Sequence, residues 1–244
     1  MAAAKTKATF PLLLSLNAGF VDTAGFLALQ GLFTAHVTGN FVTLGASLAL
    51  GTSGAIAKLL ALPVFCIVVI AARLLSTLLI NRQRPALDTL IVLQVSLLVI
   101  GAVLAIRFGP FRDPDSWRAV LTGVVLVGAM AIQNAFHRVH LGSAPPSTIM
   151  TGTTTQVMID LADRIHGPKE TDSASSSRLA QMLRAMVFFV IGCGAAALLY
   201  SLFGMKCFVV PPVVGGLQLL FRLPVWLQSR RDRCGTQPKH APRM

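Results

Sequence analysis

The chain of 244 residues is 54% hydrophobic and only 12% charged, with a formal net charge of +12. Soluble domains carry about 25% charged residues, so this composition argues against a soluble globular protein. The charges cluster between apolar runs of about 20 residues, the length that a helix needs to cross a bilayer. These runs lack the alternation of membrane barrel strands. We therefore expect an all-α, polytopic membrane bundle.

The positive charge does not indicate nucleic-acid binding, because no motif of a nucleic-acid-binding module is present. Lysines and arginines lie at the ends of the apolar segments and in the segment 226–244. Membrane topology and anionic lipid headgroups explain such a distribution. We expect the bilayer, and not a nucleic acid, to be the partner of this basic segment.

In chain order, the sequence contains eight apolar segments. They lie at about 9–30, 34–51, 59–80, 86–107, 117–136, 145–162, 185–204 and 207–227. The polar stretch 163–184 is expected to form a flexible, exposed link. The composition predicts one transmembrane domain over 1–225, with six to eight full spans, and a disordered basic tail over 226–244.

The two halves of the chain resemble each other. In each half an apolar segment precedes an unusually polar one, and two ordinary apolar segments follow. The residues that match are Phe26 with Phe136, Gly31 with Gly142, and Thr38-Gly39 with Thr151-Gly152. The sequence therefore predicts two internal repeats, over about 9–107 and 117–225.

The polar segments two and six are poorly suited to face lipid, since each unpaired polar group in hydrocarbon costs several kcal/mol. Segment two contains Thr38, Gly39 and Asn40, and segment six contains Thr151, Gly152 and Thr153. Interrupted polar segments at matching places in two halves are typical of a transporter's midplane site. The alternative is that these residues only hold helices together.

Asp22 is an ionisable residue inside segment one, and such residues indicate a functional site. It could bind a cation, relay a proton or hydrogen-bond a polar solute. The alternative is an N-cap at a helix break near Gly19. The matching place in segment five holds Gln133 and Asn134, which can donate and accept hydrogen bonds.

Three histidines offer a weak metal signal. His137 and His140 are three residues apart on one helical face, and His36 lies near the start of segment two. No third ligand lies at a spacing typical of a metal site, so we expect no metal and no cofactor. Serine-hydrolase, phosphate-loop and dinucleotide motifs are missing, so we do not expect an enzyme. The exception left open is membrane-embedded, metal-dependent chemistry through His36, His137 and His140.

Charge distribution leaves the topology open. With eight spans, 16 Lys and Arg residues lie inside and 4 outside; if segments two and six are re-entrant, the balance is 15 to 5. The positive-inside rule accepts both. Four spans in each repeat would give parallel repeats, whereas three would give inverted ones.

The stretches GFVDTAGFLALQGLFTAHVTGN and AMAIQNAF, with MTGTTTQ downstream, resemble the YoaK-like family of bacterial multi-pass membrane proteins. The similarity covers about residues 11–225. This chain differs in having Thr153 where the first half has Asn40, and in its HRVH stretch. The resemblance implies a bacterial membrane protein but supplies no substrate.

From these features we expect a transporter or channel for a small polar or cationic solute in the bacterial inner membrane, with both termini cytoplasmic. The rival expectation is a membrane scaffold or interaction protein, and oligomerisation is compatible with both. The residues expected to bind the solute are Asp22, His36, Thr38, Gly39, Asn40, Gln133, Asn134, Thr151, Gly152 and Thr153.

Overall fold

The structure, a computed structural model, describes residues 2–148, 150–166 and 173–220, and all regular secondary structure in these ranges is helical. The helices are α1 (Ala2–Ala28), α2 (Gly39–Leu50), α3 (Ala55–Asn81), α4 (Ala86–Phe108), α5 (Trp117–His140), α6 (Met150–His166) and α7 (Ser173–Phe203), followed by a 3-10 helix (Gly204–Val209). Helical structure continues over 210–220. The predicted all-α class is confirmed.

Five helical stretches are long and apolar enough to cross a membrane. They are Thr9–Ala28, Ala55–Asn81, Ala86–Phe108, Trp117–His140 and Ser176–Leu220. α2 is too short for this role, because its 12 residues extend over only about 18 Å, against a hydrocarbon core of about 30 Å. The structure therefore supports a multi-pass helical membrane protein, while eight segments remain a prediction.

The chain between α1 and α3 begins and ends at the same end of the bundle. Gln30, just after α1, donates a hydrogen bond from Nε2 to the carbonyl oxygen of Phe111 at 3.1 Å. Gly54, just before α3, donates from its backbone N–H to Asp115 Oδ2 at 2.7 Å. Both partners belong to the link that joins α4 to α5, so α2 returns to the end from which the chain entered. We call this the 109–116 end.

The chain between α5 and α7 begins and ends at the opposite end. His140, the last residue of α5, lies with Nε2 at 2.9 Å from Ser76 Oγ, close to where α3 ends. Arg178, near the start of α7, lines one cavity together with Arg138 and Gly142. We call this the 82–85 end, after the link between α3 and α4. α6 thus also returns the chain to the end from which it came.

The long stretch 176–220 reverses direction at the 3-10 helix. Tyr200, near the end of α7, contacts the carbonyl oxygen of Leu27 near the end of α1 through a 3.4 Å hydrogen bond. Further along, Gln218 donates to the carbonyl oxygen of Leu13, near the other end of α1, at 3.3 Å. α7 therefore runs parallel to α1, and residues 210–220 return beside it.

The helix boundaries differ from two expectations drawn from the sequence. α6 continues to His166 and α7 begins at Ser173, so helices occupy much of the stretch 163–184, for which composition predicted an exposed link. The remainder of that stretch, 167–172, and the predicted disordered tail, 226–244, lie outside the described residues. The predicted helix break near Gly19 is wrong, because α1 continues through it and packs there against Phe189.

Candidate functional site

Asp22 anchors the loop 29–38, which precedes α2. Its carboxylate is only 5% exposed, and Oδ1 accepts hydrogen bonds from the backbone N–H groups of Thr34 at 2.8 Å and Ala35 at 2.7 Å. The second oxygen, Oδ2, lies 2.6 Å from His36 Nδ1. Asp22 therefore accepts backbone N–H groups of the loop 29–38, and it is not the N-cap at a helix break that was the sequence alternative, because α1 continues past it to Ala28.

His36 connects this loop to the second half of the chain. Its imidazole faces Asp22 on one side, and the backbone of Thr148, in the loop before α6, lies against the same imidazole. The ring also packs edge-on against Phe189 of α7, with centroids 5.6 Å apart. His36 is thus where the loop before α2, the loop before α6 and α7 meet.

Asn40 holds the first loop closed and does not point to a free space. It is 1% exposed; Oδ1 accepts from the Phe33 N–H at 2.8 Å, and Nδ2 donates to the Phe33 carbonyl at 2.8 Å. Both hydrogen-bonding groups of one irregular backbone residue are satisfied in this way. This pairing allows a non-helical loop to lie within a membrane bundle.

The second loop, 141–148, is anchored by neutral side chains of α5. Gln133 Nε2 donates to Ser147 Oγ at 3.1 Å, and the Thr148 hydroxyl donates to Asn134 Oδ1. His137 Nδ1 accepts from the Ser147 N–H at 3.2 Å. The two predicted amides therefore do contact the loop that precedes the second polar segment.

The residues of the two Thr-Gly steps are not all brought to this junction. Thr38, Thr151 and Gly152 are exposed on the surface of the single chain, whereas Thr153 is buried. Gly39 starts α2 beneath the ring of Phe33, which an added Cβ would meet at 3.0 Å. Of the predicted site residues, those that hold the two loops or lie in them are Asp22, His36, Asn40, Gln133 and Asn134.

A cavity of about 870 Å³ lies beside the second loop. Its inner wall includes Asn134 and Ser147, and three arginines line it, namely Arg73, Arg138 and Arg178. No acidic residue belongs to its described lining. The cavity therefore offers a positively charged chamber next to the amides of α5.

The histidines do not converge as a metal site would require. His36 pairs with Asp22, His137 with Ser147, and His140 with Ser76. Within residues 2–148, 150–166 and 173–220, no group of three or more His, Cys, Asp or Glu side chains is placed to hold a metal ion.

Sequence reasoning missed Ser147 and Thr148, which hold the second loop in place. The repeat alignment contained the signal, because the offset of 113 that relates Thr38 to Thr151 also relates Thr34 to Ser147. It missed Gln94 as well, whose Nε2 donates to Gln133 Oε1 at 2.6 Å. A single glutamine in an apolar segment forms no motif from which this contact could be predicted.

Comparison with known proteins identifies the family. The UPF0700 transmembrane protein YoaK of Bacillus subtilis (strain 168) is 31% identical over 206 residues, which cover 81% of this chain and 86% of that protein. No solved structure matches. A family model described as a protein of unknown function (DUF1275) matches residues 10–221. The chain belongs to this family of YoaK-related transmembrane proteins.

Proposed function

We propose that the protein is a transporter or channel that moves a small polar solute past the junction of its two loops. The observation that carries the proposal is that buried polar side chains anchor both loops, Asp22 the first and Gln133 and Asn134 the second, with His36 and Thr148 between them. Non-helical backbone at membrane depth is tolerated where it is buried in protein or lines a pathway. Half-helices that start at such a point are typical of secondary transporters.

We further propose six full crossings and two inverted repeats, over about 9–107 and 117–225. The support is that α2 and α6 each return the chain to the end of the bundle from which it entered, and that these ends are opposite. Each repeat would then contribute three crossings and one half-helix. Three crossings per repeat make the repeats inverted.

Of the two kinds of solute expected from the sequence, a polar solute fits the charges around the junction better than a cationic one. Asp22 already directs its charge at His36 and the loop backbone. The N-termini of α2 and α6, which carry partial positive charge, start at the two loops, and Arg73, Arg138 and Arg178 line the adjacent cavity. We therefore propose a neutral polar or anionic solute.

Reconstituted protein tests the proposal. Proteoliposomes would be challenged with a panel of small carboxylates, phosphate, sulfate and neutral amino acids, with currents recorded on a solid-supported membrane and uptake of labelled neutral compounds measured in parallel. We expect one class to give saturable transport that Asp22→Asn lowers about tenfold. This variant weakens a charge-assisted hydrogen bond worth about 1.5–3 kcal/mol.

Asp115→Asn is the matched control. Asp115 also accepts from two backbone N–H groups, those of Gly54 and Ile56, but it lies at the 109–116 end, away from the junction. This variant should transport at the wild-type rate. Wild-type transport by correctly inserted Asp22→Asn protein, or no transport of any panel member, would overturn the proposal.

We propose that the protein resides in the inner (cell) membrane with both termini cytoplasmic, and that it is not an enzyme. Six crossings put 15 Lys and Arg residues on the side of the termini against 5 on the other, as the positive-inside rule requires. The basic tail would then face anionic headgroups. The scaffold alternative predicts that function survives Asp22→Asn but not deletion of 226–244.

A further inference from the structure

Four amide side chains lie fully buried in the centre of the bundle, apart from the Asp22–His36 pair. Asn17 on α1, Gln94 on α4, Gln133 on α5 and Gln218 in the segment 210–220 are each 0% exposed. Most buried side-chain polar atoms in proteins have a hydrogen-bond partner. This cluster departs from that rule: Asn17 Oδ1 and Nδ2, Gln94 Oε1 and Gln218 Oε1 have none.

The contacts between the helices bring these amides together. Gln94 is hydrogen-bonded to Gln133, which donates to the carbonyl oxygen of Leu14 at 3.0 Å. Gln218 donates to the neighbouring carbonyl of Leu13. Asn17 stands three and four residues further along α1, so it shares a helix face with these two carbonyls.

The segment 210–220 also brings Gln218 towards Gln94. Gly215, three residues before Gln218, packs so closely on α4 that an added Cβ would lie 2.8 Å from Val95 Cγ2. Gln94 is the residue before Val95. The unpartnered amide atoms therefore belong to three segments, α1, α4 and 210–220, that are joined by direct contacts.

The orientation of the glutamines is fixed by their partners. A backbone carbonyl can only accept, so Gln218 must turn Nε2 towards Leu13 and leave Oε1 free. Gln133 must likewise turn Nε2 towards Leu14, and its Oε1 then requires the Nε2 of Gln94 as donor. The free ends of Gln94 and Gln218 are consequently both carbonyl oxygens.

We infer that Asn17, Gln94 and Gln218 bind a small monovalent alkali cation, with sodium as the probe. Their three free oxygens are hard, neutral ligands, and carbonyl oxygens of this kind can replace part of the hydration shell of such an ion. A divalent ion would lose about four times as much Born solvation energy, which grows with the square of the charge. No carboxylate in the described hydrogen-bond network of the cluster offsets that loss.

This inference stands apart from the transport proposal, because it concerns binding in a core position and not the junction at His36. If both hold and the protein is a transporter, this cation is a candidate for the ion whose gradient drives the solute. The two claims fail separately, since ion binding is measured in detergent without a membrane or a solute.

The test uses purified full-length protein in detergent. Its thermal unfolding midpoint would be measured in sodium chloride and in choline chloride at equal ionic strength, and binding of radioactive sodium would be measured directly. Wild-type protein should show a saturable rise of the midpoint with sodium and should bind about one ion per chain. A midpoint indifferent to sodium together with no bound sodium would overturn the inference in favour of internal water.

Asn17→Leu separates an ion ligand from a structural amide. It removes two polar atoms that have no protein partner, so the variant should melt above wild type in choline and lose the sodium-dependent rise. Gln218→Met, which removes one ligand oxygen, should lower sodium affinity at least tenfold. Ser96→Ala, on the exposed side of α4, should respond to sodium as wild type does. An unchanged sodium response in folded Asn17→Leu would contradict the assignment.

Discussion

The close packing of α1 against α7 is the most demanding contact in the bundle, and Gly192→Ala tests it. A Cβ added at Gly192 would lie 2.1 Å from the carbonyl oxygen of Leu16 and 3.0 Å from the N–H nitrogen of Phe20. Ordinary contacts begin at 3.4 Å, so the two backbones must separate by about 1.3 Å. A gap of 0.5–1 Å already forfeits about a quarter to a half of each dispersion contact.

Neither obstructing atom can rotate away, because both belong to the backbone of α1. We place the packing loss near the upper end of the usual overpacking range, about 3 kcal/mol. Alanine regains about 1 kcal/mol of helix propensity over glycine, which leaves a net destabilisation of about 2 kcal/mol. For a chain of this size that lowers the unfolding midpoint by about 4–8 °C.

The assay is thermal unfolding in detergent at one fixed scan rate, with Gly194→Ala as the control. Gly194 lies two residues further along α7, and an added Cβ there meets nothing within 4 Å. The control should therefore gain about 1 kcal/mol and melt about 2–4 °C higher. Equal shifts for the two variants, in either direction, would refute the claim that α1 and α7 touch through their backbones here.

Two further predictions concern the loops and the topology. A single cysteine in place of Arg84 should be labelled from the cytoplasmic side, and one in place of Arg112 from the external side. A cysteine at Lys5 serves as the cytoplasmic control. The reverse pattern for Arg84 and Arg112 would favour eight crossings. In hydrogen-exchange measurements, the backbone amides of the second loop, 141–148, should exchange faster than those of the first loop, 29–38. Comparable exchange rates in the two loops would contradict this prediction.

Sequence alone was sufficient for the membrane class and for the long spans, because the length of an uncharged run measures directly whether a helix can cross. It could not decide whether α2 and α6 cross, since both alternatives leave a strong excess of positive residues on one side. That question depends on contacts between distant residues. Gln30 and Phe111, which show that α1 ends beside the α4–α5 link, are 81 residues apart.

The candidate site was predictable where a rare residue type marked it. Asp22 stood out because a carboxylate inside an apolar segment is costly, and His36 stood out on the polar segment that follows. The role of Asn40 was not predictable, because an amide that braces a loop and an amide that binds a solute look alike in a sequence. Thr151 was expected in the pathway, but the direction it faces depends on where α6 begins.

The two loops are anchored with different strength, and this difference makes one of them easier to displace than the other. The first loop is held by the charge of Asp22, through two backbone N–H groups within 2.8 Å and His36, and charge-assisted hydrogen bonds contribute about 1.5–3 kcal/mol each. The second loop is held by Gln133, Asn134 and His137 through hydrogen bonds to Ser147 and Thr148, which contribute about 0.5–1.5 kcal/mol each if uncharged.

A solute that disturbs the contact at His36 would therefore displace the second loop before the first. The arginine-lined cavity lies beside that loop and is lined by residues near the 82–85 end, which is the cytoplasmic end in the proposed six-crossing topology. Moving the first loop would instead separate Asp22 from His36 and leave its buried carboxylate without part of its compensation, at a cost of several kcal/mol. In the proposed six-crossing topology, the loop that is easier to displace faces the cytoplasm. Access from outside would then require the energy of a second event, and the proposed binding of a cation among Asn17, Gln94 and Gln218 is a candidate source.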